Sequence, residues 1–222
     1  MAEITLYHTP AACSRVTLNA LEEIGVPFED HAISLVAGQQ KSAEYLAINP
    51  KGKVPALKIG DRLLTENAAI VYYLHTQHPE AALLPVEGGA IGPNQGLEDL
   101  VWCGATLHPI MRQIRAPQRY SIENLEAIRA CGITLITPIL DGIAERLSAG
   151  RWWYGGAWSI LDVYIYFIYS TVAGAGFDLS PWPVLAEHTV RVRARPSFVR
   201  ALAREQAALS AQKIELPPGM TL

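Results

Sequence analysis

The run Asn49-Pro50-Lys51-Gly52-Lys53-Val54-Pro55-Ala56-Leu57, followed shortly by Leu64-Thr65-Glu66-Asn67-Ala68-Ala69-Ile70, decides the fold. Pro55 stands at the entrance to an apolar strand, Ala56-Leu57-Lys58-Ile59, where it removes a ladder donor and admits a cis peptide bond. A cis bond there would turn Val54 outward, so that its N–H and C=O could pair with a peptide-like ligand as an added strand does. Thr65 reads as an N-cap, and the amides of Glu66 and Asn67 then open a helix. A helix start carries unpaired N–H groups and the positive end of the dipole, which suits a ligand carboxylate. Glu66 at the same point can pair with an ammonium. The pattern predicts a pocket for a short peptide that ends in a free amino acid.

Asn-Pro-x-Gly-x-Val-Pro-Ala-Leu and Thr-Glu-x-x-Ala-Ile at this spacing resemble the glutathione transferase superfamily, and the resemblance extends over essentially the whole chain. It implies an α/β thioredoxin-like N-terminal domain plus an all-α C-terminal helical domain. It also implies glutathione as co-substrate and no metal.

Composition agrees with an enzyme of this kind. The 222 residues suffice for one large or two small domains, and 50% hydrophobic content can fill their cores. A net charge of −3 and the lack of a basic run give no electrostatic case for nucleic acid. Met1-Ala2-Glu3-Ile4 leads straight into a strand, with no charged n-region and long apolar h-region. The apolar window Ile160 to Val172 is broken by Asp162 and tyrosines, so no membrane span is expected. Cys13, Cys103 and Cys131 are odd in number and far apart, which argues against a disulfide framework and for a cytoplasmic location. No Cys/His pair has zinc spacing.

Two halves read differently. In the first, strands at Ile4–Tyr7, Phe28–Ile33 and either side of Gly60-Asp61 alternate with helices at Ser14–Ile24, Ser42–Ile48 and Glu66–His75. The order βαβαββα with a cis-proline candidate before the third strand is a thioredoxin-like layout. Residues 1–79 are read as the glutathione-binding domain and 80–92, with Pro85, Gly88, Gly89 and Gly92, as the linker. Residues 93–222 then form an all-helical domain lining a second-substrate pocket. Its helices are expected at Gly96–Met111, Ile122–Ala149 kinked at Pro138, Ser159–Ala173, Trp182–Arg195 and Ser197–Ala211. Ser159-Ile160-Leu161-Asp162 reads as a capping box, and Pro217 to Leu222 as a loose tail.

An unperturbed thiol is mostly protonated at pH 7, so a glutathione enzyme must stabilise the thiolate. The loop Tyr7-His8-Thr9-Pro10-Ala11-Ala12-Cys13-Ser14-Arg15 delivers Cys13 and Ser14 to the first turn of a helix. This resembles the bacterial beta class, which implies that Cys13 contacts the glutathione sulfur and can form a mixed disulfide, while Ser14 donates to the thiolate. Taken residue by residue, Cys13 could equally be a half-buried filler and Ser14 a plain N-cap. Tyr7 is read as structural. Arg15-Val16-Thr17, Asn67 and Gln40-Lys41-Ser42 depart from the beta pattern toward theta- and zeta-like relatives, and leave the choice between Cys13 and Ser14 open.

For the rest of glutathione the resemblance implies Gln40 and Lys53 at the glycine end, with Val54, Pro55, Glu66 and Asn67 along the peptide. Lys51 is read as the solvated lysine of its loop. For the second substrate, a small hydrophobic electrophile, it implies His108, Met111, Arg112 and Tyr166, although Tyr164, Tyr166 and Tyr169 also read as core. His8, His31, His75, His78 and His188 are read as structural or exposed. The function expected is transfer of the glutathione thiol to an electrophilic carbon by a homodimer. A lyase or thiol-disulfide exchange enzyme acting through Cys13, and a non-catalytic glutathione-binding protein, are the alternatives. The absence of Cys-x-x-Cys argues against a dithiol reductase.

Overall fold

A computed structural model describes residues 3–85, 92, 94–216 and 222. Most of the expected linker glycines and the expected tail therefore lie outside the described residues. The chain divides into two compact units, Met1–Leu83 together with Arg195–Leu222, and Leu84–Ala194.

The first unit has the thioredoxin-like order. Strand β1 (Ile4–His8) is followed by α1 (Arg15–Ile24), β2 (Glu29–Ala32), α2 (Ala43–Ile48), β3 (Ala56–Ile59), β4 (Arg62–Thr65) and α3 (Asn67–Gln77). The sheet runs β2-β1-β3-β4, with β1 parallel to β2 and the other pairs antiparallel. Register follows the hydrophobic pattern, because Leu6 faces Leu57 and Leu57 faces Leu64. Leu6 and Leu57 are fully buried, as are Leu18 and Leu21 of α1 and Ile70 of α3. Helix α1 stops where expected, at Gly25 in the left-handed region, whose N–H donates to the Leu21 carbonyl.

The last helix, α9 (Pro196–Gln212), was expected with the helical half. It packs on α1 instead, through a row of arginine–carboxylate pairs. Arg15 donates to both oxygens of Glu205 from Nε at 3.1 and 3.0 Å and from Nη2 at 2.5 Å, with both side chains almost fully buried. Arg200 and Arg204 both reach Glu22, Arg204 also reaches Asp30, and Arg195 pairs with Glu23. Asp30 in turn meets His8 Nε2 at 3.2 Å. Burial raises the Asp30 pKa, but the bonds and charges of His8 and Arg204 outweigh it and hold the carboxyl below its ordinary range. His8 is thus structural.

The second unit is helical: α4 (Gln95–Trp102), α5 (His108–Arg115), α6 (Leu125–Ala149), α7 (Ile160–Gly174) and α8 (Pro183–Arg193). Helices α4 and α5 are one rod interrupted by a π-turn over Cys103–Leu107. An α-helix running through Pro109 would drive its ring into a carbonyl one turn earlier, and the wider turn avoids that. Helix α6 has the length and mean hydropathy, 1.5, to cross a membrane by composition alone. Its buried residues Gly132, Ile136, Leu140, Ile143 and Leu147 nevertheless form a single stripe, the mark of a helix packed on a core along one side. Helix α7 is buried almost all round, including Tyr164, Tyr166 and Tyr169, and opens with the expected box, Ser159 N–H donating to Asp162 Oδ2 at 2.9 Å. Asp162 Oδ1 also meets His188 Nε2 at 3.0 Å, which accounts for that buried histidine.

Candidate active site

The loop between β1 and α1 is closed by one serine. The Thr9 N–H donates to Ser14 Oγ at 2.9 Å, and the Ser14 hydroxyl donates to the Thr9 carbonyl at 3.1 Å. Ser14 is fully buried. A hydroxyl has a single proton, and here it is spent on the loop. The expectation that Ser14 donates to a ligand thiolate is therefore not what the geometry shows. The small alanines matter too, since Ala11 takes a positive φ of 59°. Cys13 follows, half-buried, with Sγ 3.6 Å from the Val54 carbonyl oxygen.

Val54 itself lies just before the ladder, which starts at Ala56, and the Val54–Pro55 bond is cis as expected. The preceding loop is built to hold this peptide still. The Lys53 carbonyl accepts from the Tyr45 hydroxyl at 2.7 Å and from Asn49 Nδ2 at 2.8 Å. Asn49 Oδ1 accepts from the Lys51 N–H, and Gly52 turns the chain at a φ of 59°. A Cβ on Gly52 would sit 2.8 Å from the Gln40 carbonyl oxygen, so only glycine fits both the angle and the space. Gln40 lies on the short 3₁₀ turn Gln39–Lys41, and its Oε1 is buried without a partner. The Lys53 side chain is exposed.

The start of α3 differs from expectation. Thr65 is the last residue of β4, opposite Ala56, so it cannot cap the helix, and Glu66 is the N-cap with φ 72° and ψ 124°. The first helical bond runs from the Ile70 N–H to the Glu66 carbonyl, which leaves the amides of Asn67, Ala68 and Ala69 outside the helical ladder. The Glu66 carboxylate is exposed, and Lys51 reaches it at 3.3 Å while donating to Thr65 Oγ1 at 2.8 Å. Lys51 is thus drawn back over the helix start and not simply solvated. The Asn67 side chain faces inward: Oδ1 accepts from the Thr17 hydroxyl at 2.8 Å, and Nδ2 donates to the Cys13 carbonyl at 2.9 Å. Sequence reasoning took Asn67 as a ligand contact and missed Thr17. The two tie the start of α3 to the cysteine, and no local pattern announces a bond across 54 residues.

Cys13, the Val54 peptide edge and the open amides of α3 thus converge within one unit. The family described as glutathione S-transferase, N-terminal domain, matches residues 2–76. Glutathione S-transferase GstA of Escherichia coli O157:H7 is 30% identical over 207 residues, covering 90% of this chain and 98% of that protein. The chain belongs to the glutathione transferase family. A glutathione transferase homologue from Sulfitobacter with bound glutathione superposes with a TM-score of 0.80 at 25% identity, covering 94% of this chain and all of the other. BphK, a bacterial glutathione transferase solved as a ternary complex, gives 0.79 at 30% identity, covering 91% and 99%.

In this transferase the four residues expected at the second substrate fall into two groups. Met111 and Tyr166 are 3% and 4% exposed and belong to the core of the helical unit, Tyr166 accepting from Arg193 Nη1 at 3.0 Å. His108 and Arg112 stand one turn apart on α5 and touch, Arg112 Nη2 lying 3.3 Å from His108 Nε2. The His108 ring rests on Phe167, centroids 5.6 Å apart. Tyr7, read as structural, stacks on His31 at 5.4 Å and meets Tyr45 edge-on.

Proposed function

We propose that the first unit binds glutathione with its sulfur at Cys13 and that the enzyme transfers the activated thiol to a small hydrophobic electrophile. The observation that carries this reading is the placing of Cys13 Sγ 3.6 Å from the Val54 carbonyl. A cysteinyl ligand paired along that peptide edge would present its own sulfur beside the protein's. The γ-glutamyl end would meet the Glu66 carboxylate and the open amides of Asn67 and Ala68, where a negative group gains from the helix dipole. Gln40 and Lys53 would serve the glycine carboxylate, and the unpartnered Gln40 Oε1 supports a polar ligand group there. Pro55 would hold the edge, and His108 and Arg112, the two of the four expected residues that lie outside the core of the helical unit, would serve a second substrate.

Thiol-disulfide exchange is the second reading, because Cys13 is half-buried whereas the Ser14 proton is committed to Thr9. In that step the Cys13 thiolate attacks oxidised glutathione, forming the Cys13–glutathione disulfide and releasing one glutathione thiolate. Incubation with oxidised glutathione should add one glutathionyl group, mapped to Cys13 by mass spectrometry. Cys13→Ala should abolish exchange and retain part of the transfer to a chlorinated nitrobenzene. Full activity of Cys13→Ala in both assays overturns the assignment. Calorimetry should show glutathione binding that weakens by about 1–3 kcal/mol in Glu66→Ala, and no binding at millimolar glutathione would sink the whole reading.

A symmetric homodimer in the cytoplasm with a role in detoxification completes the proposal. A monomeric mass by light scattering at micromolar concentration overturns it.

A further inference from the structure

The loop that presents the Val54 edge also carries an ammonium out to the start of α3. The Lys51 N–H donates to Asn49 Oδ1 at 3.2 Å, the Gly52 N–H donates to the Asn49 carbonyl at 2.9 Å, and Asn49 Nδ2 holds the Lys53 carbonyl. The backbone under Lys51 is therefore fixed, while its long side chain reaches residues 14 and 15 places further on. There Nζ donates to Thr65 Oγ1 at 2.8 Å and lies 3.3 Å from Glu66 Oε1. An ammonium has three donors, so this grip leaves one N–H to spare.

Stability does not account for the arrangement. The Lys51 and Glu66 side chains are 56% and 67% exposed, and an ion pair that open to water adds little once the flexible stem has been ordered. The same exposure makes the pair easy to exchange for the charges of a ligand. It stands where the amides of Asn67, Ala68 and Ala69 remain outside the helical ladder, at the positive end of the α3 dipole. Charges thus alternate here: ammonium, carboxylate, helix start. A ligand with only an ammonium would take Glu66 and leave Lys51 against a second cation. One with only a carboxylate would meet Lys51 and the amides but also the Glu66 carboxylate. A group that carries both charges on one carbon leaves neither side chain facing its like.

We propose that Lys51 is a specificity residue for the amino-acid end of the ligand. When Glu66 takes the ligand's α-ammonium, the Lys51 ammonium turns from Glu66 to the adjoining α-carboxylate and keeps its bond to Thr65 Oγ1. The class this selects is a peptide whose first residue is linked through its side chain, and so retains both α-ammonium and α-carboxylate. An ordinary α-linked peptide has spent that carboxylate in its backbone. The inference rests on the glutathione reading of the first unit and adds to it the side chain that reads the carboxylate.

The test is calorimetric titration of the intact parent, Lys51→Gln and Lys51→Arg proteins with three ligands at fixed ionic strength. These are reduced glutathione, γ-aminobutyryl-cysteinylglycine, which lacks the α-carboxylate, and glutaryl-cysteinylglycine, which lacks the α-ammonium. Lys51→Gln should weaken glutathione about fivefold, the worth of one charge-assisted bond reduced by solvent, and γ-aminobutyryl-cysteinylglycine by less than about twofold. Glutaryl-cysteinylglycine should lose as much as glutathione does. Lys51→Arg should keep most of the affinity, because the charge is retained. The gap between the parent and Lys51→Gln on glutathione should narrow as salt is raised. Equal losses on all three ligands would make Lys51 a support of its loop, and glutathione binding unchanged or tightened in Lys51→Gln would make it a bystander or a latch on Glu66. Either result overturns the proposal and leaves the glutathione site standing. No binding of glutathione to the parent at millimolar concentration refutes the site itself, and the part of Lys51 with it.

Discussion

Replacing Glu205 by glutamine tests how α9 is held to the first unit, and the structure sets the size of the effect. The substitution keeps volume and removes only the charge. Arg15 is 2% exposed and Glu205 fully buried, so the guanidinium would be left with no water and no carboxylate. Breaking a buried pair from one side costs about 3–5 kcal/mol, because an uncompensated charge remains. The Phe198 ring, 5.9 Å from the Arg15 guanidinium carbon, makes only a small repayment. For a chain of this length that loss lowers Tm by roughly 6–20 °C. Removing both charges, as in Arg15→Met with Glu205→Leu, should return most of it, since two apolar side chains in that space lose no desolvated charge. Urea unfolding, which does not screen charge, followed by far-UV circular dichroism, measures all three proteins. A loss below about 1 kcal/mol in Glu205→Gln, or a double variant no better than the single one, would refute the reasoning.

Ser14→Ala should behave as a structural lesion: two buried bonds to Thr9 are lost, lowering stability by about 1–3 kcal/mol, with transfer falling in step. A hundredfold loss of kcat/KM at unchanged Tm would instead make Ser14 the thiolate donor. Asn67→Ala removes the links to Thr17 and to the Cys13 carbonyl, so Cys13 should glutathionylate more slowly in a stopped time course while glutathione affinity changes less; an unchanged rate would show that the cysteine is held by other means. The lowered Asp30 pKa means that its share of stability is present above the unfolded-state value near pH 4 and is lost as pH falls through the folded one. Asp30→Asn should therefore flatten the acid side of the stability–pH curve, and a curve parallel to the parent's would remove Asp30 from the account.

Local chemistry explains which features were legible in the sequence. The strand and helix order, the cis Val54–Pro55 bond, the Gly25 stop and the Ser159–Asp162 box all depend on residues within a turn or two of one another. The Ser14 bonds to Thr9 were not legible, because an N-cap serine can bond forward into its helix or back into its loop, and only the path of Thr9 decides. Glu66 displaced Thr65 as cap because the β4 ladder extends one residue further than the helix signal implied. The place of α9 was out of reach for another reason: Arg15 and Glu205 are 190 residues apart, and nothing near either one names its partner.

The first unit is written at both ends of the chain, with residues 84–194 set between its two parts. On a ribosome the sheet and α1 emerge before α9, and Arg15 waits for a carboxylate that is translated 190 residues later. Until then the α1 face that α9 will cover stays open to solvent and to chaperones. The helical unit, continuous in sequence from Leu84 to Ala194, has no such wait. The first unit is thus complete only after the whole of the helical unit has been made.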